Sequence, residues 1–362
     1  MKTILTLAAV AASTSLGLAA EHAPKANKEM QAVLDQLTEL GGKPIAQLTP
    51  EEARRQPTPA DAVKALLTKR GQSTAPERVA KVENKSITGP GGEIPVRIYT
   101  PDGQGSFPVI VYIHGGGWVI ADLDTYDSSP RALANAAKAV VVSTHYRLAP
   151  EHPFPASHED VFAAYKWARE NAGSFNGDPR RIAVAGESAG GNMAAAISLM
   201  ARAQNVPLPL HQVLVYPVAG TDMNTPSHQE NANAKPLNKA MMEWFGKHEF
   251  KNAQDKQDPR IDLLNANLRG LPSTTIISAE IDPLRSEGKM LADKLKAAGV
   301  DVDYKNYDGV AHEFFGMGAV LPESKDATKL AAKNLMKAFG STSDQLPVRA
   351  KAENSDRPLT KD

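Results

Sequence analysis

The sequence predicts an α/β fold in which a mostly parallel, twisted sheet carries helices on both faces. Short apolar runs, partly β-branched, recur along the chain, and helical patterns lie between them; the clearest runs are at 108–113, 181–185, 213–217 and 274–279. Strands that alternate with helices in this way form parallel sheets through crossover connections. No internal repeat interrupts the alternation, so we expect one main domain over residues 78–340.

Composition narrows the classes of function. The chain has 362 residues, of which 42% are hydrophobic, and it can therefore bury a substantial core. Its 41 basic side chains balance 41 acidic ones, so no overall field favours nucleic acid or an anionic membrane as a partner. The sequence contains no cysteine, which excludes disulfides, a thiol nucleophile and thiolate-bound zinc.

Residues 1–20 have the pattern of a signal peptide. Lys2 precedes an apolar and small-residue run, and Ala19 and Ala20 suit a cleavage site at its end. The run is too short and alanine-rich for a permanent membrane anchor. We therefore expect export to the periplasm or the medium, with no stable anchor; an N-terminal structural helix is the alternative.

The following segment, 21–77, predicts two helices that precede the sheet. Apolar residues recur at helical spacing within 25–40 before a glycine pair at 41–42, and 60–70 is a second candidate helix. These helices do not alternate with strands, so we expect them to form part of a cap. The strand-like runs 78–87 and 94–99 flank a glycine-rich turn and predict an antiparallel hairpin.

The strand at 108–113 runs directly into His114-Gly115-Gly116-Gly117-Trp118. Three consecutive glycines destabilise regular structure and let the backbone approach a ligand closely. A phosphate-binding loop is disfavoured because no Lys-Ser/Thr pair follows and the G-x-G-x-x-G spacing is absent. Backbone N–H groups that face a ligand are what the oxyanion of an acyl-transfer reaction requires.

Ser188 lies in a second glycine-rich stretch, Gly186-Glu187-Ser188-Ala189-Gly190-Gly191, between the strand at 181–185 and a helical run at 192–201. A G-x-S-x-G pattern at a strand-to-helix corner is typical of a nucleophile elbow, in which the glycines avoid collisions with neighbouring backbone. Such a turn exposes the Ser188 hydroxyl. It also directs the Ala189 N–H, at the positive end of a helix, toward an oxyanion.

Together with Tyr146-Arg147-Leu148-Ala149-Pro150-Glu151 between them, these two motifs resemble the hormone-sensitive-lipase-like (bacterial family IV) esterases and lipases, over about 79–339. The resemblance implies an α/β-hydrolase fold with a helical cap, a small-molecule ester substrate, and no metal or organic cofactor. It also implies that the N–H groups of Gly116, Gly117 and Ala189 form the oxyanion hole.

A serine nucleophile needs a general base and an acid that orients the base, and in this fold they follow in the order Ser, Asp or Glu, His. Asp282 comes just past the strand at 274–279, where site residues lie in an open α/β sheet, and Asp282-Pro283-Leu284 matches the family's acid motif. Glu280 is less well placed, because we expect it to lie on the strand. His312 is the only histidine after Asp282 and is therefore the predicted base.

The chain departs from the family pattern at three positions. Glu187 and His145 stand where aspartate is common, and Glu313 stands where glycine is usual. We expect the exchange at Glu187 to alter only local hydrogen bonding. A carboxylate beside His312 is hypothesised to raise the pKa of the base by favouring the imidazolium.

The remaining segments complete the predicted domain. Residues 219–271 form a long polar stretch with a helix near 237–249 and predict an insertion that belongs to the cap. A helix at 285–298, a last strand at 302–307 and a closing helix at 325–339 follow. The polar tail, 341–362, is expected to be disordered.

These features predict a serine carboxylesterase that hydrolyses short- to medium-chain esters through an acyl-enzyme intermediate. An amidase, a lactonase or a thioesterase would use the same three residues, and an interfacial lipase would need an exposed apolar lid that the polar residues 224–239 do not indicate. A ligand-binding protein without catalysis is disfavoured because Ser188, Asp282 and His312 are all retained. The sequence leaves a monomer and a homodimer equally open.

Overall fold

A computed structural model describes residues 24–340 of the chain. The predicted signal peptide, 1–20, and the predicted disordered tail, 341–362, lie outside the described residues and stay predictions.

Within this range the strands form one eight-stranded sheet in the spatial order β1-β2-β4-β3-β5-β6-β7-β8. The strands are β1 (Lys81–Gly89), β2 (Gly92–Thr100), β3 (Phe107–Ile113), β4 (Val140–Thr144), β5 (Gly177–Glu187), β6 (His211–Val215), β7 (Ser273–Ile281) and β8 (Val302–Ala311). The pairs β1/β2 and β2/β4 are antiparallel, and the other neighbouring pairs are parallel. The predicted α/β class and N-terminal hairpin are confirmed.

Helices cover both faces of the sheet. They are α1 (Lys28–Glu39), α2 (Pro50–Ala53), α3 (Pro59–Lys69), α4 (Ser128–Ala137), α5 (Ala156–Asn171), α6 (Ala189–Ala203), α7 (Pro226–Glu230), α8 (Lys239–Glu249), α9 (Arg285–Ala297) and α10 (Pro322–Gly340). One hydrophobic core lies under α5, α6 and α9, and the other lies under α4 and α10 together with α1 and α3. The central strand β3 is therefore buried from both sides, as its nearly continuous apolar sequence indicates.

The last strand is longer than the sequence predicts. The Asp308-Gly309 pair favours a turn after 307, and Gly309 does adopt a left-handed φ of 70°. Pairing with β7 nevertheless continues past an irregularity, up to the pair Ile281 and Ala311. As a result, Asp282 and His312 each follow directly after the end of one of two adjacent strands.

The N-terminal helical segment (24–77) and the insertion (219–271) meet in space. The Trp244 indole of α8 donates a hydrogen bond of 3.1 Å to the carbonyl of Leu48. The neighbouring Phe245 packs on the glycine loop after β3, since a Cβ built on Gly117 would lie 2.3 Å from its ring. In the 24–340 region, none of the helices is both long and apolar enough to cross a membrane.

Candidate active site

Ser188 occupies a tight turn between β5, which ends at Glu187, and α6, which begins at Ala189. Its backbone has φ 58° and ψ −120°, a sparsely populated conformation that surrounding contacts must hold. The Ser188 N–H donates to the carbonyl of Val215 over 2.9 Å, and the Ser188 carbonyl accepts from the N–H of Val218 over 3.2 Å. The turn is thereby tied to the end of β6, and 6% of Ser188 remains exposed.

The glycines around Ser188 are required by close backbone approach. A Cβ on Gly186 would lie 2.1 Å from the carbonyl oxygen of Gly190. A Cβ on Gly190 would lie 2.2 Å from the carbonyl oxygen of Ile113, at the end of β3. The serine turn and the glycine loop after β3 therefore touch through their backbones.

His312 and Asp282 form a buried pair beside this turn. Nδ1 of His312 is 2.7 Å from Oδ2 of Asp282, and Oδ1 of Asp282 accepts from the N–H of Leu284 over 2.8 Å. Because the carboxylate accepts the proton of Nδ1, Nε2 of His312 keeps its lone pair. The Ser188 hydroxyl makes no hydrogen bond to any side chain or backbone group in the described part of the chain, so it is available to a ligand.

Charges around the ring raise the pKa of His312. Burial is the largest single influence and would lower the pKa, but the charge and hydrogen bond of Asp282 together with the charges of Glu313 and Glu187 outweigh burial. The Tyr216 ring lies against His312 with a centroid distance of 4.4 Å. Its hydroxyl donates to Glu187, the residue before Ser188, so Tyr216 connects the serine turn to the histidine.

The backbone N–H groups of Gly116, Gly117 and Ala189 are among those near Ser188 that donate to no backbone carbonyl within residues 24–340. The loop carrying the first two is closed by its own turn, since the Gly116 carbonyl accepts from the N–H groups of Val119 and Ile120. Both glycines have left-handed φ angles, 95° at Gly116 and 57° at Gly117. The loop therefore presents donors that no other backbone group uses, a requirement for binding an anion.

Glu187 is more than a local replacement of aspartate. It is fully buried and accepts hydrogen bonds from the hydroxyls of Tyr112 and Tyr216. Burial, together with the nearby Glu313 carboxylate, raises the pKa of Glu187 to about 7, although the tyrosine hydrogen bonds limit the rise. Neither the hydrogen bonds to Tyr112 and Tyr216 nor the raised pKa of Glu187 was predicted from the sequence, where we expected only local hydrogen bonding to change.

His145, the second departure from the family pattern, pairs with His114. Nδ1 of His114 lies 2.8 Å from the Gly115 carbonyl, which can only accept, so Nε2 of His114 is the acceptor for Nδ1 of His145 at 2.9 Å. Burial lowers the pKa of His114 to about 3, with His145 adding to the effect, and burial lowers the pKa of His145 as well. A neutral pair of histidines thus supports the glycine loop.

Two further charged side chains, Arg147 and Glu151, have structural contacts. The Arg147 guanidinium forms a bidentate pair with Asp160, at 2.8 Å for each bond. Glu151 pairs with Arg54 of the N-terminal segment at 2.7 Å. Arg54 also donates to the carbonyls of Val119 and Ala149, over 2.8 and 2.9 Å, so it fastens the N-terminal segment to the glycine loop.

A cavity of about 650 Å³ opens beside these groups. Gly116, Tyr126, His145 and Glu313 line it, together with residues of the N-terminal segment and of the insertion. Trp118 does not line the cavity; it is buried and packs edge-on against Phe250. Across the described residues, no group of three or more His, Asp or Glu side chains has an arrangement that would hold a metal ion.

Comparisons with known proteins identify the family of this chain. The family model of the alpha/beta hydrolase fold matches residues 110–316. The chain is 40% identical over 291 residues to the carboxylesterase NlhH of Mycobacterium tuberculosis, covering 78% of this chain and 91% of that protein. It is 32% identical over 319 residues to an ethyl acetate hydrolase of Pseudomonas putida, covering 85% of this chain and 98% of that protein.

Solved structures are also similar. A hyperthermophilic esterase from the archaeon Pyrobaculum calidifontis superposes with a TM-score of 0.78 at 36% identity, over 87% of this chain and 98% of that chain. The likeness therefore extends over nearly all of the described residues.

Proposed function

Because this chain belongs to the hormone-sensitive-lipase-like family of α/β-hydrolases and is a carboxylic ester hydrolase, we propose that it cleaves short- to medium-chain esters with Ser188 as the nucleophile. The main support is the buried His312–Asp282 pair, with a separation of 2.7 Å, next to a serine held in a strained turn. A serine, a histidine and a carboxylate in these relations form the constellation used for acyl transfer on several unrelated folds.

Acylation begins when the Ser188 oxygen attacks the acyl carbon of the ester. His312 accepts the serine proton at Nε2, and Asp282 stabilises the imidazolium that forms. The carbonyl oxygen becomes an oxyanion, which the N–H groups of Gly116, Gly117 and Ala189 bind. Collapse of this intermediate breaks the bond to the alcohol, and His312 gives its proton to the departing alkoxide.

Deacylation follows the same steps, with water as the nucleophile. His312 takes a proton from water as the water attacks the acyl-enzyme, and it returns that proton to the Ser188 oxygen as the acid leaves. We propose that the N-terminal segment and the insertion act together as a cap that excludes bulk water from these steps. The support is their contact through Trp244 and Leu48 and their shared lining of the cavity.

The test is hydrolysis of p-nitrophenyl esters of increasing acyl length by purified wild type and Ser188→Ala. Loss of the nucleophile is expected to lower kcat on the order of 10⁶-fold. Ser106→Ala, which changes an exposed serine, is the matched control and should leave kcat unchanged.

The acyl series separates the remaining possibilities. A maximum at short to medium acyl chains is expected, and a maximum at long chains would point to a lipase. Faster cleavage of the matched p-nitroanilides than of the esters would point to an amidase. Near-normal esterase activity in Ser188→Ala would refute the mechanism.

A further inference from the structure

Glu313 occupies a backbone position that suits glycine. Its φ is 72° and its ψ is 2°, in the left-handed region where a side chain costs on the order of 1 kcal/mol. The residue directly follows His312, at the start of the loop after β8. A glutamate in this conformation needs contacts of its own side chain to hold it in place.

Those contacts come from Tyr126, 187 residues earlier in the chain. The Tyr126 hydroxyl donates to Oε1 of Glu313 over 2.5 Å. Space for this hydroxyl exists because Gly115 has no side chain, since a Cβ there would lie 2.4 Å from the Tyr126 oxygen. The glycine loop, Tyr126 and Glu313 thus form one packed unit beside the histidine.

The carboxylate of Glu313 faces the nitrogen of His312 that Asp282 leaves free. Oε1 of Glu313 is 3.9 Å from Nε2, and 21% of the Glu313 side chain is exposed, in the cavity that Gly116 also lines. His312 therefore lies between two carboxylates, with Asp282 bonded to Nδ1 and Glu313 near Nε2.

The other groups around the ring add no compensating positive charge. Glu187 faces His312 across Tyr216, and the hydroxyls of Tyr112 and Tyr216 donate hydrogen bonds to Glu187. On the side of α7, His228 lies within electrostatic reach of Asp282. In the described chain, neither a lysine nor an arginine forms an ion pair with Asp282, Glu187 or Glu313.

We propose that Glu313, held by Tyr126, is a positioning residue that stabilises the protonated imidazole of His312 from its Nε2 side. The enzyme should therefore need a higher pH for activity than a variant with an uncharged residue at position 313. This inference rests on the proposed function, because it assigns His312 the part of the base. Glu313 itself forms no bond to the reacting atoms.

The direction of the effect follows from the protonation state that catalysis needs. Only neutral His312 can accept the proton of Ser188, so kcat/KM rises with pH as the imidazolium loses its proton. The neighbouring carboxylates raise the pKa of His312 in spite of burial. Burial also raises the pKa of Glu313, and the His312 cation opposes that rise, so the two groups titrate as a coupled pair. Removal of the Glu313 charge should move the acidic limb of the kcat/KM profile, where activity rises with pH, to lower pH.

The experiment measures kcat/KM against pH with one p-nitrophenyl ester for wild type and variants. Glu313→Gln should move the acidic limb to lower pH, and Glu313→Asp should keep it closer to wild type because the charge is retained. Tyr126→Phe should move it in the direction of Glu313→Gln, since the carboxylate loses its anchor. Glu93→Gln removes an exposed carboxylate far along the hairpin and should leave the limb in place.

The pH dependence of inactivation by a p-nitrophenyl phosphonate provides a second readout. The Ser188 oxygen attacks phosphorus, nitrophenolate leaves, and His312 takes the serine proton, so this rate reports the base without a deacylation step. The variants are expected to shift the pH dependence of inactivation in the same directions as they shift that of kcat/KM. Glu313→Gly suits the left-handed backbone and replaces Glu313→Gln if the latter does not fold.

The outcomes separate the two proposals. If Ser188→Ala abolishes activity but the acidic limb of folded Glu313→Gln and Glu313→Gly coincides with that of wild type, the inference about Glu313 is overturned and the proposed function stands. If Ser188→Ala retains activity, the proposed function fails and the inference fails with it.

Discussion

At the scale of single residues, Gly190 leaves the serine turn no room for a methyl group. Alanine there would place its Cβ 2.2 Å from the Ile113 carbonyl oxygen and 2.5 Å from that of His114, so backbone must move. Gly190→Ala is expected to lower kcat about 10²-fold, because a displacement of about 1 Å in a catalytic group has that effect. Steady-state kinetics with a p-nitrophenyl ester measures the loss.

Gly173→Ala is the control for this substitution. A Cβ on Gly173 meets no atom within 4 Å, and its φ is not left-handed, so wild-type kcat is expected. Wild-type kcat in a folded Gly190→Ala protein would mean that the turn and the glycine loop accommodate the methyl group, contrary to the packing described here.

The sequence predicts individual residues well where a local motif constrains them. Ser188 lies in a motif whose glycines have one physical purpose, and His312 is the only histidine that the chain order allows. The contact of Tyr126 with Glu313 joins residues 187 positions apart, and the pairing of His114 with His145 joins residues 31 apart. No periodicity or local spacing carries information about such contacts.

At the scale of elements, Arg54 connects the end of α2 to two loops of the main domain. Arg54→Ala leaves the carbonyls of Val119 and Ala149 without their donor, which is expected to cost about 1–3 kcal/mol of unfolding free energy. The exposed pair with Glu151 contributes little to that loss. Urea unfolding measures the change, and kcat/KM should fall as well, because Val119 belongs to the turn of the glycine loop.

The adjacent Arg55 provides a matched control. Among residues 24–340 its only ion pair is with Glu51, and both side chains are mostly exposed, so Arg55→Ala should change the unfolding free energy by less than about 0.5 kcal/mol. Equal losses in the two variants would show that the carbonyl contacts of Arg54 are not what stabilises this junction.

Strands and helices were most predictable where their apolar residues recur most regularly. Several strands and helices lie close to the limits predicted for them, as with α9 at Arg285–Ala297, whereas no limits were predicted for β4, α4 and α5. The end of β8 was missed, because pairing with β7 overrides the local turn preference of Asp308 and Gly309. Tertiary pairing of this kind is invisible in a single sequence.

At the scale of the whole molecule, the fold class follows from the sequence, but the composition of the cavity does not. Two separate segments, 24–77 and 219–271, line the cavity beside Gly116 and Glu313, and their meeting depends on contacts such as that of Trp244 with Leu48. The family motifs lie in the sheet and its loops, whereas these segments have no motif that fixes their relative position. Substrate preference, which depends on the cavity wall, is therefore the property that the sequence predicts least.

The hydrogen bond from Trp244 to Leu48 also has a consequence for folding order. It closes a chain loop of 196 positions, and such non-local contacts carry a large entropy cost and form late. After dilution from urea, far-ultraviolet circular dichroism should therefore recover before esterase activity does; recovery at a single common rate would contradict this order. During synthesis, residues 24–77 leave the ribosome long before their partner has been made, so hydrolytic activity would appear only once most of the polypeptide has been translated.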